Sequence, residues 1–228
     1  MTEVVVKENA RVDHYRLVRE SLHTFHIARQ QTHEGRDARY LSYSLTLGGA
    51  LIRNDIDVVL DGEGSECTLN GFYLVRDRQH VDHHTRIDHA TPHSNSREFY
   101  KGILDERGRG VFNGRIVVHP GAQKINAHQE NKNLLLSKEA LVNTNPQLEI
   151  YADDVKCSHG ATIGQLDADA LFYLRTRGID LEAARQILIY AFASDIINRI
   201  EMEPIRTEVE RALLAKLPEA PAERMPIH

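Results

Sequence analysis

From Thr2 to about Ile163 the apolar residues of this chain never form a long run. They come in short bursts, many alternating with polar residues: "EVVVK", "YLSYSLTL", "IDVVL", "CTLNGFYLV", "RIVVH" and "QLEIYA". Between the bursts stand turn markers: "LGG", "RND", "DGEG", "NGF", "RGRG", "FNGR" and "HPGA". A period of two, cut every few residues by Gly, Asn or Asp, is the signature of short strands with one buried face. Many such strands with tight turns restrict the fold to a sandwich, a barrel or a stacked solenoid. The strands are too short and too evenly punctuated for long hairpins. No clean repeat singles out the solenoid, and the hexapeptide signature of left-handed helices is absent. The segment "HYRLVRESLHTFHIARQ" could also wind as a helix with Leu17, Leu22 and Phe25 inward. Val12, Tyr15 and Leu17 fit an extended run equally, and strands are expected there.

After Gly164 the period changes. "DADALFYLRTRG" reads as a short helix with Asp167 as N-cap, Asp169 in its first turn and Gly178 as the stop. Asp180 can cap a longer one, on which Leu181, Ala184, Leu188, Ala191 and Phe192 line one face. Ile187, Ile196 and Ile197 widen that face. A third helix is expected from about Pro204, with Ile205, Val209, Leu213 and Leu217 spaced at four and Pro218 as its end. The expected organisation is a strand core over 1–163, then a helical domain with a frayed tail over 164–228.

Composition narrows the function classes. A net charge of -5 leaves no basic surplus to neutralise phosphates, so a general nucleic-acid binder is not expected. Apolar runs as short as "NLLLS" cannot span a bilayer. "MTEVVVKENARVD" has no basic region followed by a long apolar stretch, so no signal peptide is read there. Two cysteines give no disulfide framework, and a reducing, cytoplasmic location is the expectation.

Three features could carry chemistry. Cys157 and His159 stand one residue apart after the strand-like "LEIYADDVK". If that strand continues, both point to one face. A thiol and an imidazole suit soft metals, but two ligands cannot close a tetrahedral site. The plain alternative is a small core thiol with a rim histidine. The second feature is "HVDHHTRIDHATPH", with His80, His83, His84, His89 and His93. In a strand, His83 and His84 face opposite ways and cannot easily share an ion, so a polar ladder along stacked strands competes with a metal site. The third is the apolar helical face, which could cap the strand domain or dock a partner. Cys67, inside "SECTLNGFYLV", reads as core.

The stretch "YADDVKCSHGATIGQLDADALFYLRTRGI" resembles the SufB/SufD family, scaffold subunits of the SUF machinery that builds iron–sulfur clusters. So does "DHHTRIDHATPHSNSREFYKGILDERGRGVFNGRIVVHPGAQKINAHQENKNLLLS". The "KCSHGAT" form resembles the SufD branch. The resemblance implies a right-handed parallel β-helix followed by a helical C-terminal domain. It implies a complex with a SufB-like paralogue and the SufC ATPase, with a homodimer as the form in isolation. His159, with Cys157 beside it, would contribute to a cluster site at the paired β-helices. The cluster would be transient and shared, with none tightly bound by this chain alone. The helical face through Leu181, Leu188, Phe192 and Ile196 would dock the ATPase. Family members are longer, so the chain is expected to correspond to their C-terminal portion.

Two other classes compete. A polysaccharide-acting β-helix enzyme would need paired carboxylates in an exposed groove, whereas Asp82 and Asp88 are interspersed with histidines. A metal-dependent enzyme would use the histidine cluster.

Overall fold

The computed structural model describes residues 1–216. Leu217 and Pro218, with the expected helix end and the tail, lie outside the described residues. The alternating bursts form strands, in chain order β1 (Thr2–Val6), β2 (Arg11–Val18), β3 (Phe25–Glu34), β4 (Arg39–Thr46), β5 (Leu51–Leu60), β6 (Glu66–Val75), β7 (His80–His89), β8 (Asn95–Leu104), β9 (Arg109–Val118), β10 (Ile125–Leu135), β11 (Leu141–Ile150) and β12 (Val155–Gly164). Helices α1 (Ala168–Thr176), α2 (Leu181–Ile197) and α3 (Glu203–Lys216) follow. The ambiguous segment near the start is extended, as β2 and the opening of β3. No helix among the described residues is long and apolar enough to cross a membrane.

The strand pairing decides among the three architectures. Odd-numbered strands form one sheet in the order β1-β3-β5-β7-β9-β11, and even-numbered strands form the other, β12-β10-β8-β6-β4-β2. Neighbours within each sheet are parallel. The chain therefore alternates between sheets, and each turn adds one strand to both. This is a parallel β-solenoid of about six turns, as the family resemblance implies.

The corners show why these residues turn. Asn9, Asp37, His93 and Lys124 occupy left-handed backbone conformations between the odd strands and the even ones. Each donates its backbone N–H to a carbonyl of the next turn: to Arg36 at 3.0 Å, Glu63 at 3.0 Å, Gln123 at 2.9 Å and Asp154 at 2.7 Å. Gly64, also at positive φ, holds the same place in the third coil. Short polar side chains and glycine tolerate this conformation best.

Alternation fills the interior. On β5, Ile52, Asn54, Ile56, Val58 and Leu60 are buried, and on β7, Val81, His83, Thr85, Ile87 and His89. Tyr40, Tyr73, Tyr100 and Phe112 are the bulkiest members of a core that also takes Cys67. Burial of each such ring contributes about 1.5–3 kcal/mol. The rings fit because smaller residues stack beside them. A Cβ on Gly71 would run into the Tyr100 ring, and one on Gly102 into the Tyr73 ring.

The chain divides into two compact units, Met1–Gly164 and Gln165–His228. In the second, Asp167 caps α1 by accepting from the backbone N–H of Asp169 at 2.8 Å and Ala170 at 3.2 Å. Asp180 caps α2 through the N–H of Ala183 at 3.0 Å. Gly178 takes the left-handed conformation that ends α1.

Candidate functional site

The register of the even sheet connects Cys157 and His159 to the solenoid interior. In-register stacking runs Tyr40, Cys67, Ser96, Ala127, Cys157 from β4 to β12. The next inward row runs Ser42, Leu69, Glu98, Gln129, His159. Every member of both rows before β12 is buried. Thus the two side chains share one face, and each terminates an interior column at the last strand of its sheet. Cys157 is half-buried against an apolar cluster of Ile116, Val118, Ile125 and Ala127. His159 is exposed. Burial pushes the Cys157 thiol up, although a hydrogen bond from the Ala127 backbone partly opposes this. The thiol is therefore not a pre-formed thiolate. A metal or a nearby cation would be needed to deprotonate it.

Behind His159 the column turns polar. Gln129, its in-register neighbour, donates from Nε2 to Glu98 Oε2 at 2.5 Å. Burial pushes the Glu98 carboxyl up to about 7. A neutral amide and a carboxyl that titrates near neutrality thus lie in line with the imidazole. Sequence reasoning missed both, because they sit 30 and 61 positions before His159 and only the register joins them.

The histidine-rich stretch does not converge on an ion. His83 and His89 point into the core, while His84 points out and His93 sits in a turn. His83 lies between the rings of Tyr73 and Tyr100, each 5.3 Å away, and burial pushes its pKa down to about 3. His89 bridges Ser94 and Ser96 at 2.8 Å each. Among the described residues no group of three or more His, Cys, Asp or Glu side chains could hold a metal ion.

The outward face of the odd sheet carries carboxylates, and Asp55, Asp57, Asp82 and Asp88 are each engaged by arginine. Arg53 donates to Asp55 at 2.6 Å and to Asp82 at 2.5 Å. Arg29 meets Asp57 at 3.1 Å, and Arg86 meets Asp88 at 2.9 Å. A glycosidase acid must be a carboxyl kept protonated, and arginine favours the opposite state.

On α2 the buried stripe is Ala184, Ile189, Ala193, Ile196 and Ile197. Leu188 and Phe192 are half-buried, and Leu181, Ile187 and Tyr190 are exposed. Of the four side chains expected to meet a partner, Ile196 is fully buried and only Leu181 is exposed. On α1, Phe172 and Tyr173 are exposed, with Arg177 over the Tyr173 ring at 5.1 Å.

Comparison with known proteins places these features in a family. Residues 1–192 match the family described as SUF system FeS cluster assembly, SufBD core domain. The iron–sulfur cluster assembly protein SufD of Escherichia coli K12 is 40% identical over 213 residues, covering 93% of this chain and 50% of that protein. A SufBD family iron–sulfur cluster assembly protein of Synechocystis is 38% identical over 213 residues, covering 93% of this chain and 47% of its own length. The chloroplastic protein ABCI7 of Arabidopsis thaliana is 39% identical over 207 residues, covering 90% and 44%. The chain spans about half the length of the curated relatives it matches. With the parallel solenoid and a family match over residues 1–192, this chain belongs to the SufB/SufD family of iron–sulfur cluster assembly proteins.

Proposed function

We propose that this chain is a non-catalytic scaffold, on which an iron–sulfur cluster is assembled jointly with a SufB-like paralogue, and that its helical unit docks a SufC-type ATPase. The cluster is cargo, held in passing. The observation that carries this reading is the ending of two interior columns in Cys157 and His159 on the last strand of the even sheet. A cluster takes about four ligands, mostly thiolates. One thiol and one imidazole on a shared face make half a site, and a partner supplies the rest. Strands β11 and β12 each end their sheet, so each offers an unpaired backbone edge to a strand of another chain. That edge suits a paralogue, or a second copy when the chain is alone. Two free thiols and no disulfide suit a cytoplasmic setting. The exposed apolar side chains of α1 and α2, Phe172, Leu181, Ile187 and Tyr190, favour docking of the ATPase there.

The test is co-purification. A tagged copy of this chain, co-expressed with a SufC-type ATPase and a SufB-like paralogue, should retain both through size exclusion. Retention of neither would overturn the scaffold reading.

A further inference from the structure

The outward face of the even sheet carries an arrangement that the cluster reading does not use. Outward positions on neighbouring strands stack in columns, just as inward ones do. One column runs Glu66, Asn95, Asn126, Lys156, and the adjacent one runs Thr68, Arg97, His128, Ser158. Strand spacing is about 4.8 Å, and alternate residues on one strand lie about 6.6 Å apart. Asn95, Arg97, Asn126 and His128 therefore root at the corners of a small rectangle on one face. They line a shallow groove of about 300 Å³ together with Glu66 and Thr68.

Every corner offers a donor: a guanidinium, two amides and an imidazole. The groove's one carboxylate, Glu66, lies 3.6 Å from Arg39. No carboxylate neutralises Arg97 among the described residues. His128 is oriented by its neighbour, since Nδ1 lies 2.8 Å from Ser158 Oγ. An anion above the groove selects the tautomer in which Ser158 donates to Nδ1 and Nε2 carries the outward proton. Ser158 stands between Cys157 and His159 but on the opposite face, so this groove is separate from the half-site.

We propose that Asn95, Arg97, Asn126 and His128 form a binding site for a small tetrahedral oxyanion, such as phosphate or sulfate. Arg97 supplies the charge and the forked donor pair, His128 a second directed N–H, and the two amides complete the cradle. A planar carboxylate reaches fewer of the four corners and binds more weakly.

The test follows the His128 imidazole by NMR in the isotope-labelled full chain, titrated with inorganic phosphate, sulfate or acetate at constant ionic strength. Phosphate and sulfate should give a saturable shift, and acetate a weaker one. Arg97→Gln should weaken phosphate binding at least about tenfold, the loss of one charge-assisted hydrogen bond. Arg78→Gln, in a different groove, should leave it unchanged. A non-saturating drift that is the same in the parent and Arg97→Gln would overturn the site. Acetate saturating as tightly as phosphate would overturn the tetrahedral assignment.

Discussion

His159 and Cys157 differ in how much the fold depends on them. His159 is exposed, so His159→Ala should change stability by no more than about 0.5 kcal/mol. Cys157 packs on the apolar cluster at the end of the solenoid, and Cys157→Ala should cost about 1 kcal/mol. Both should impair cluster assembly in a cell lacking its own copy, with His159→Ala the more severe. A His159 variant with full activity and an unchanged melting temperature would remove the imidazole from the site. Deeper residues set the pH response. Burial, reinforced by the charge of Glu66, raises the Glu34 carboxyl from 4.5 to about 9. Between those values the folded chain keeps a proton that the unfolded chain releases, so stability falls as pH rises through this window. Its steepest contribution is about 1.4 kcal/mol per pH unit. His83 acts in the opposite sense. Its pKa falls from 6.5 to about 3, so stability drops as pH falls below 6.5. Glu34→Gln should therefore flatten the loss of melting temperature from neutral pH toward about pH 9 and leave the acid limb intact. Parallel curves for parent and variant would show that Glu34 does not titrate there.

At the level of elements, the sequence displays the strands more clearly than their stacking. The alternation on β5 is plain, because Ile52, Ile56, Val58 and Leu60 face the interior, whereas on β7 the buried His83 and His89 blur it. The coil length is not plain. Phe25 pairs with Leu51, 26 residues on, while Arg109 pairs with Leu141, 32 residues on. Loops of varying length hide the repeat, so the solenoid was legible only through family resemblance. The same variation hid Glu98, Gln129, Arg97 and His128, whose neighbours are set by register across whole coils. By contrast, the shared face of Cys157 and His159 was legible because two-residue spacing on one strand needs no register. Helix α2 failed differently. It is apolar on nearly every side, so composition could not choose the buried stripe, and Ile196 lies in that stripe. Two substitutions test this level. Gly71→Ala puts a methyl group into the Tyr100 ring and should destabilise by about 1–3 kcal/mol. Gly160→Ala, with open space around it, should stay within about 0.5 kcal/mol. Equal effects would refute the stacking account. On α2, Ile187→Asp should weaken ATPase capture without lowering the melting temperature, since burying an unpaired carboxylate at an interface is costly. Undiminished capture would move the docking face elsewhere.

For the molecule as a whole, ligand supply governs what it does alone. Cys67 is 1% exposed, locked among core residues, and burial pushes its thiol well up, so it cannot serve at the surface. The proposed half-site then offers Cys157 and His159, one thiol and one imidazole on a shared face, against a requirement of about four ligands. Iron held by half a shell stays open to water and to thiol exchange. The decisive measurement is iron and acid-labile sulfide per chain after anaerobic reconstitution and desalting, with the visible absorption spectrum as a check. The shared-site account predicts no stoichiometric cluster on the isolated chain and retention once the SufB-like partner is added. A stable, stoichiometric cluster on this chain alone would contradict it.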